Sequence, residues 1–271
     1  WQGLIGRPIV LFIHGLEGSL QSHYVPGIIH ALAQRGLRTC FMHFRNCGRE
    51  PNRLPISYHS GKTDDPQRVI EHIAKSQGAF PAGALGVSLG GNVLLKWLEE
   101  QGAQSPLQTA VAVSVPFRLE QAARRLETGA SRIYKRYLLT TMKASYERKF
   151  SGMPSPLDID LEALDTFFAF DDAITAALHG FDGVDDYYAR CSSRPFIPSI
   201  RVPTLILHAQ DDPFMYPESA PKTDELPDSV TLELTPKGGH IGFIEGRWPW
   251  SARYFAERRI AEWLVEGIDA V

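Results

Sequence analysis

A mostly parallel β-sheet covered by helices on both faces is the architecture this sequence predicts, on three observations. Short apolar runs rich in β-branched residues recur along the chain, helically spaced apolar residues fill the intervals between them, and one interval is far longer than a crossover needs. The runs are Ile9 to Ile13, Arg38 to Phe44, Ala84 to Val87, Ala110 to Val115, Thr204 to His208 and Val230 to Leu234. Runs apolar on both faces suit strands buried between two layers of helices.

The helical intervals are Val25 to Gln34, Gln67 to Ser76, Val93 to Gln101 and Arg253 to Glu266. Pro66, just after Asp64 and Asp65, stands where a first-turn proline would, and the two acids favour the same helix start. The long interval runs 88 residues from Pro116 to Pro203, where a crossover unit needs about 30. A mainly helical cap over residues 116–199 is therefore expected, inserted into a core of residues 1–115 and 200–271.

Charge is unevenly distributed within this insertion. From Arg124 to Lys149 the cations Arg124, Arg125, Arg132, Lys135, Arg136, Lys143, Arg148 and Lys149 meet only Glu127 and Glu147. From Ser151 to Ala189 there are nine acids and no lysine or arginine. With Tyr134, Tyr137, Tyr146 and Phe150 interleaved, the basic half reads either as a patch for transient contact with a membrane or lipid surface, or as solvated helix faces partly neutralised by the acidic half.

Composition excludes several classes. The chain is 44% hydrophobic over 271 residues, enough for a sizeable buried core. A net charge of -3 offers no overall basic field for nucleic acid. Cys40, Cys47 and Cys191 are odd in number and lack CxxC spacing, so neither a disulfide framework nor a zinc site is implied, and reduced cytoplasmic thiols are the expectation. The apolar run from Ile9 to Ile13 falls far short of the roughly 20 residues that span a bilayer. No metal-ligand spacing and no GxGxxG or Walker string after a strand appears, so no metal or cofactor is expected.

The chemistry centres on Gly86-Val87-Ser88-Leu89-Gly90, which joins an apolar strand to a helix. A serine held at such a turn sits in a strained backbone state, and glycine two residues to either side removes steric conflicts. Acyl transfer by Ser88 needs a base, a carboxylate to orient it, and donors for the developing oxyanion. His240 follows the strand Val230 to Leu234, and Asp211 and Asp212 follow Thr204 to His208. The order Ser, Asp, His at successive strand ends is that of an α/β-hydrolase sheet. Asp212 is the favoured acid, because it lies three residues past Ala209 and just before Pro213; Asp211 is the alternative, otherwise bracing the turn. The backbone N–H groups of Leu16, in His14-Gly15-Leu16-Glu17-Gly18, and of Leu89 are the expected oxyanion donors.

Other histidines carry less. His14 is expected to shape its loop, and His43 and His208 to be satisfied core residues within strands. The HxxxxD spacing from His59 to Asp64 matches an acyltransferase pattern but is near chance. Phe117, Phe167, Phe168, Phe170 and Phe181 are available to line an apolar pocket or to fill the cap core.

The stretches HGLEGS from His14, FRNCGREPNR from Phe44, YHSGKTDD from Tyr58, GVSLGGN from Gly86, AQDDPF from Ala209 and GGHIGF from Gly238 together resemble the YheT-like α/β hydrolases, bacterial relatives of the eukaryotic embryogenesis-associated and α/β-hydrolase-domain lipases. The resemblance runs from about Pro8 to the C-terminal helix. It implies a serine hydrolase acting on carboxylic esters or lipid-like acyl chains, with Ser88, His240 and one of the paired aspartates as its triad. The family's Arg-Gly-Cys-Ser-Gly pattern is replaced here by Arg45-Asn46-Cys47-Gly48-Arg49. Only eight residues precede the first strand, so the family's antiparallel edge strands are expected to be absent or the sequence to be a fragment.

The leading expectation is thus an esterase for short- to medium-chain or lipid-like esters. Acyl transfer to an acceptor other than water, and a non-catalytic binding protein on the same fold, are the alternatives. Dehalogenase and epoxide hydrolase chemistry is disfavoured, since those relatives place an aspartate where this chain has Ser88.

Overall fold

A computed structural model of the chain describes residues 1–48, 50–246 and 251–270. Six strands, β1 (Ile9–Ile13), β2 (Arg38–Met42), β3 (Gly83–Val87), β4 (Thr109–Val113), β5 (Thr204–Ala209) and β6 (Val230–Thr235), form one sheet. All neighbours are parallel, in the order β2-β1-β3-β4-β5-β6. The second strand stops at Met42, two residues short of the predicted end, and His43 is exposed rather than a core residue. Gln2 adds one antiparallel bridge to Thr39 at the β2 edge.

Alternation along the strands divides the core in two. On one face Ile9, Leu11 and Ile13 meet α2 (Asp64–Gln77) and α3 (Leu89–Gln101) through Ile70, Ile73, Leu94 and Trp97. On the other, Val10 and Phe12 meet α1 (Val25–Gln34) and α9 (Phe255–Asp269) through Ile28, Leu32, Ile260 and Leu264. Val10 and Phe12 are wholly buried, and burying such a side chain contributes about 1.5–3 kcal/mol.

Between β4 and β5 lie α4 (Leu119–Leu126), α5 (Ser131–Phe150), α6 (Phe167–Phe170), a π-helical stretch (Asp171–Ala176), α7 (Ala177–His179) and α8 (Val184–Cys191). Their apolar side chains form a third buried cluster, separate from the two sheet clusters. Asn92 of α3, fully buried, pins the end of this segment to the core: its amide donates to the carbonyls of Ser60 (2.8 Å) and Cys191 (2.7 Å) and accepts the Ser193 N–H (2.9 Å). Arg194 does the same from β5's side, with a bidentate pair to Glu225.

The charge pattern of this segment resolves differently from its expectation. Arg124 pairs with Glu120, just ahead of the basic half, and Lys135 with Glu127 inside it, and among the described residues no ion pair joins that half to the acidic one. Lys149 is not a solvated cation: it is 2% exposed and donates to Asn52 Oδ1 and the Leu54 carbonyl. Tyr146 and Phe150 turn inward, whereas Ile133 and Tyr137 stand 73% and 70% exposed.

Candidate active site

The strand order reverses between β1 and β3, which lie side by side although the chain visits β2 between them. Loops leaving the carboxyl ends of two such strands diverge and leave a crevice. Here the β1 loop carries Leu16 and the β3 turn carries Ser88, and both line a cavity of about 1010 Å³.

Ser88 adopts φ 53° and ψ -121° between β3 and α3, a left-sided state for a non-glycine residue. Neighbouring glycines make this turn possible. A Cβ on Gly86 would strike the carbonyl of Gly90, and one on Gly90 would fall on the carbonyl oxygens of Ile13 and His14. The second conflict is with the end of β1, so Gly90 serves the packing of the helix start against the neighbouring strand. Leu89 opens α3, and its N–H is among the helix's unpaired N-terminal donors.

His240, in the turn after β6, is brought to the serine from 152 residues away: Nε2 lies 2.9 Å from Ser88 Oγ. Its Nδ1 lies 2.8 Å from Asp212 Oδ2. A carboxylate only accepts, so Nδ1 carries the ring proton and Nε2 is free to accept from the serine hydroxyl. Asp212 is 3% exposed and its other oxygen accepts the Phe214 N–H at 2.8 Å. Asp211, exposed, meets neither His240 nor Ser88; its Oδ1 accepts the N–H groups of Gly238 and Gly239, each at 2.8 Å. It braces the turn that carries His240, a contact 27 residues away rather than a local Asx turn.

The loop after β1 is fixed by its own histidine. Phe44 N–H donates to His14 Nε2, so the ring proton sits on Nδ1 and is donated to the Gly15 carbonyl at 2.6 Å. His14 is fully buried, and burial holds its pKa down at about 4, so the neutral ring this pattern requires persists. Gly18 makes room for it, since a Cβ there would meet His14 Nδ1 at 2.8 Å.

Several expectations fall away from the site. His59 and Asp64 make no bond to each other: His59 Nδ1 accepts the Gly61 N–H, and Asp64 pairs with Lys62 at 2.9 Å. His208 is buried as expected but not satisfied, for neither ring nitrogen has a partner among the described residues; its ring packs against Phe117 at 5.3 Å, and burial lowers its pKa to about 4. Of the five candidate pocket phenylalanines only Phe167 lines the cavity. Phe170 borders a smaller recess beside it, and Phe117, Phe168 and Phe181 pack in the cores.

Sequence reasoning missed Phe214, whose ring stacks on His240 at 4.1 Å, and Ser131, which donates to the Pro213 carbonyl at 2.6 Å and ties α5 to the Asp212 loop. The Phe at 214 was visible in AQDDPF, but its stacking was not. In the departure from the family's loop pattern, Asn46 stands where the resemblance has glycine and adopts φ 69°. Asparagine tolerates that region better than most residues, and its side chain is used to hold Asn52 and Ser57. Arg49 lies outside the described residues.

Among the described residues no group of His, Cys, Asp or Glu could hold a metal ion, and no helix is long and apolar enough to cross a membrane.

Residues 8–247 match the family described as alpha/beta hydrolase fold. The chain is 43% identical over 267 residues to the Escherichia coli (strain K12) protein named Putative esterase YheT, covering 97% of this chain and 78% of that one. It is 32% identical over 251 residues to human Phospholipase ABHD3, covering 92% of this chain but 61% of that longer protein. Among solved structures, the Pyrococcus furiosus esterase Pf2001 superposes with a TM-score of 0.60 at 17% identity, over 96% of this chain and 83% of its own, a likeness of fold. With the family match spanning most of its length and a relative at 43% identity, the chain belongs to the α/β hydrolase family.

Proposed function

We propose that this chain is a serine hydrolase of carboxylic esters, working through Ser88, His240 and Asp212. The observation that carries the reading is the continuous hydrogen-bonded line from Ser88 Oγ through His240 to Asp212, opening into a largely apolar cavity. Ser88 Oγ attacks the ester carbonyl as its proton passes to His240 Nε2. Asp212 holds the imidazole in the required tautomer and stabilises the imidazolium. The N–H groups of Leu16 and Leu89 receive the oxyanion, each donor being worth about 3–4 kcal/mol in such sites. Collapse expels the alcohol, which takes the proton from His240, and leaves an acyl-enzyme; water activated by the same base then releases the acid.

Residues 116–199 act in this reading as a cap. Leu119, Leu126, Leu138, Met142 and Phe167 come from it to the cavity wall, which suits short- to medium-chain or lipid-like acyl groups. At the cavity mouth Ile133 and Tyr137 are exposed beside Arg132 and Arg136, a composition suited to transient contact with an anionic lipid surface. Sedimentation with phosphatidylglycerol vesicles, lost in Ile133→Ser/Tyr137→Ser, would support that contact; no sedimentation of the wild type would remove it. Cys40, Cys47 and Cys191 are all unpaired thiols, which suits a reducing cytoplasm.

Turnover of p-nitrophenyl esters from short to long acyl chains, with Ser88→Ala as control, tests the reading. Hydrolysis that depends on Ser88 supports it, and product analysis with a competing alcohol separates hydrolysis from acyl transfer. Absence of turnover and of fluorophosphonate labelling would return the chain to the binding-protein alternative.

A further inference from the structure

We propose that Tyr58 and Glu17 form a positioning pair for the oxyanion loop, holding the Leu16 N–H toward Ser88. The inference rests on the serine hydrolase reading above and assigns work to two residues which that reading leaves idle.

In the loop after β1 the backbone donors are unevenly claimed. Gly15 N–H donates to Tyr24 Oη at 3.0 Å, Glu17 N–H to Tyr58 Oη at 2.8 Å, and Gly18 N–H to the Gly15 carbonyl at 3.0 Å. Leu16 N–H, between them, has no partner among the described residues. Leu16 is half-buried, and it lines the same cavity as Ser88, so its N–H is open to a group bound there. The loop is also pressed close to the nucleophile: a Cβ on Gly15 would stand 3.1 Å from Ser88 Cβ. Two tyrosine hydroxyls therefore claim the donors on either side and leave the middle one for substrate.

Of the two, Tyr58 is the better fixed. Its ring is 8% exposed and stacks on Phe44 at 5.0 Å, while the Phe44 N–H is itself held by His14. Its hydroxyl has one proton, and that proton goes to Glu17 Oε1 at 2.8 Å. A carboxylate accepts only, so the Tyr58 oxygen is obliged to present a lone pair to the Glu17 N–H. The same residue thus gives its N–H to the hydroxyl and takes the hydroxyl's proton on its side chain, which closes a ring. Glu17 Oε2 accepts from Ser145 of α5, a second anchor. Glu17 needs this hold because its φ is 52°, a state that costs a non-glycine residue about 1–3 kcal/mol unless its surroundings enforce it. Relaxation there would rotate the Leu16–Glu17 peptide and so shift Leu16, whose own N–H lies one peptide back.

A structural brace and a positioning pair differ in what they do to kinetics. Tyr58→Phe removes the hydroxyl and keeps the ring. Its kcat for p-nitrophenyl butyrate should fall about 10-fold to 100-fold with KM within about twofold, because an oxyanion donor acts on the transition state. Fluorophosphonate labelling of Ser88 should slow in parallel. Glu17→Gln keeps a carbonyl oxygen for the Tyr58 proton and should retain most of kcat, whereas Glu17→Leu should fall as far as Tyr58→Phe. The double variant Tyr58→Phe/Glu17→Leu should fall no further. A kcat within twofold of wild type in folded Tyr58→Phe, or a loss confined to KM or melting temperature, overturns the pair. Should Tyr58→Phe fail to fold, equal kcat in Glu17→Gln and Glu17→Leu overturns it instead, and a large gap between them supports it. A wild type that neither turns over esters nor labels at Ser88 takes down the serine hydrolase reading and this inference together; an active wild type with indifferent variants takes down the inference alone.

Discussion

Asp212 and His240 meet at 2.8 Å across 28 residues of sequence, and the adjacent Asp211 spends its carboxylate on the two glycines that precede the same histidine. Neighbouring acids thus place one histidine in different ways, Asp212 through its ring proton and Asp211 through the backbone of the two glycines before it. Asp212→Ala should lower kcat by about 10³–10⁴-fold, the scale of removing a triad acid. Asp211→Ala should cost about 10-fold or less, with a lower melting temperature as two glycine N–H groups lose their acceptor. Separate kinetics and thermal unfolding of the two variants check this.

The choice between these aspartates shows how far the sequence could be read. Strand runs, helix intervals and the order Ser88, Asp212, His240 were legible because period-2 and period-3.6 patterning and chain order are local signals. Phe214 stacked on His240, Tyr24 and Tyr58 on the Gly15 and Glu17 N–H groups, and Ser131 on Pro213 were not, because each joins segments whose approach is set by tertiary packing. The inward turn of Lys149 was masked for the same reason: a charge run in sequence carries no sign of which side chains face Asn52. The stop of β2 at Met42 falls within the usual scatter of strand ends.

Asn92 gives a test of how the inserted helices are attached. Asn92→Ala leaves the carbonyls of Ser60 and Cys191 and the N–H of Ser193 without their partner in a buried site. Each unsatisfied group costs about 1–3 kcal/mol, so a loss of at least that size is expected in urea unfolding. Unchanged stability would mean the segment is held elsewhere.

His208 and Asp171 should tilt the stability profile in opposite directions. His208 has its pKa lowered by burial from 6.5 to about 4. The unfolded chain therefore takes up the proton first as pH falls, and stability is lost between about 6.5 and 4. His208→Leu removes that loss and also removes two unpartnered buried nitrogens. Its melting temperature should fall less than the wild type's between pH 7 and pH 5.

Asp171 has its carboxyl raised by burial from 3.8 to about 6. The folded state then holds the proton longer than the unfolded one, so its share of stability falls as pH rises between those values and stays lost above them. Asp171→Asn should flatten that decline, read as the difference in urea midpoint between variant and wild type from pH 4 to pH 7. A variant whose profile parallels the wild type's would show that Asp171 ionises at the same pH folded and unfolded.

In the proposed mechanism everything turns on Ser88 as the nucleophile. Its φ of 53° would be borne equally by alanine, so Ser88→Ala should leave the melting temperature nearly unchanged while removing the attacking hydroxyl. The decisive measurement is p-nitrophenyl ester turnover of this variant beside wild type, with fluorophosphonate labelling located by peptide mass. Ser88→Ala should lose at least about 10³-fold in turnover, and the label should disappear from the peptide containing residue 88. Turnover retained in folded Ser88→Ala, or a label on another residue in the wild type, would contradict it.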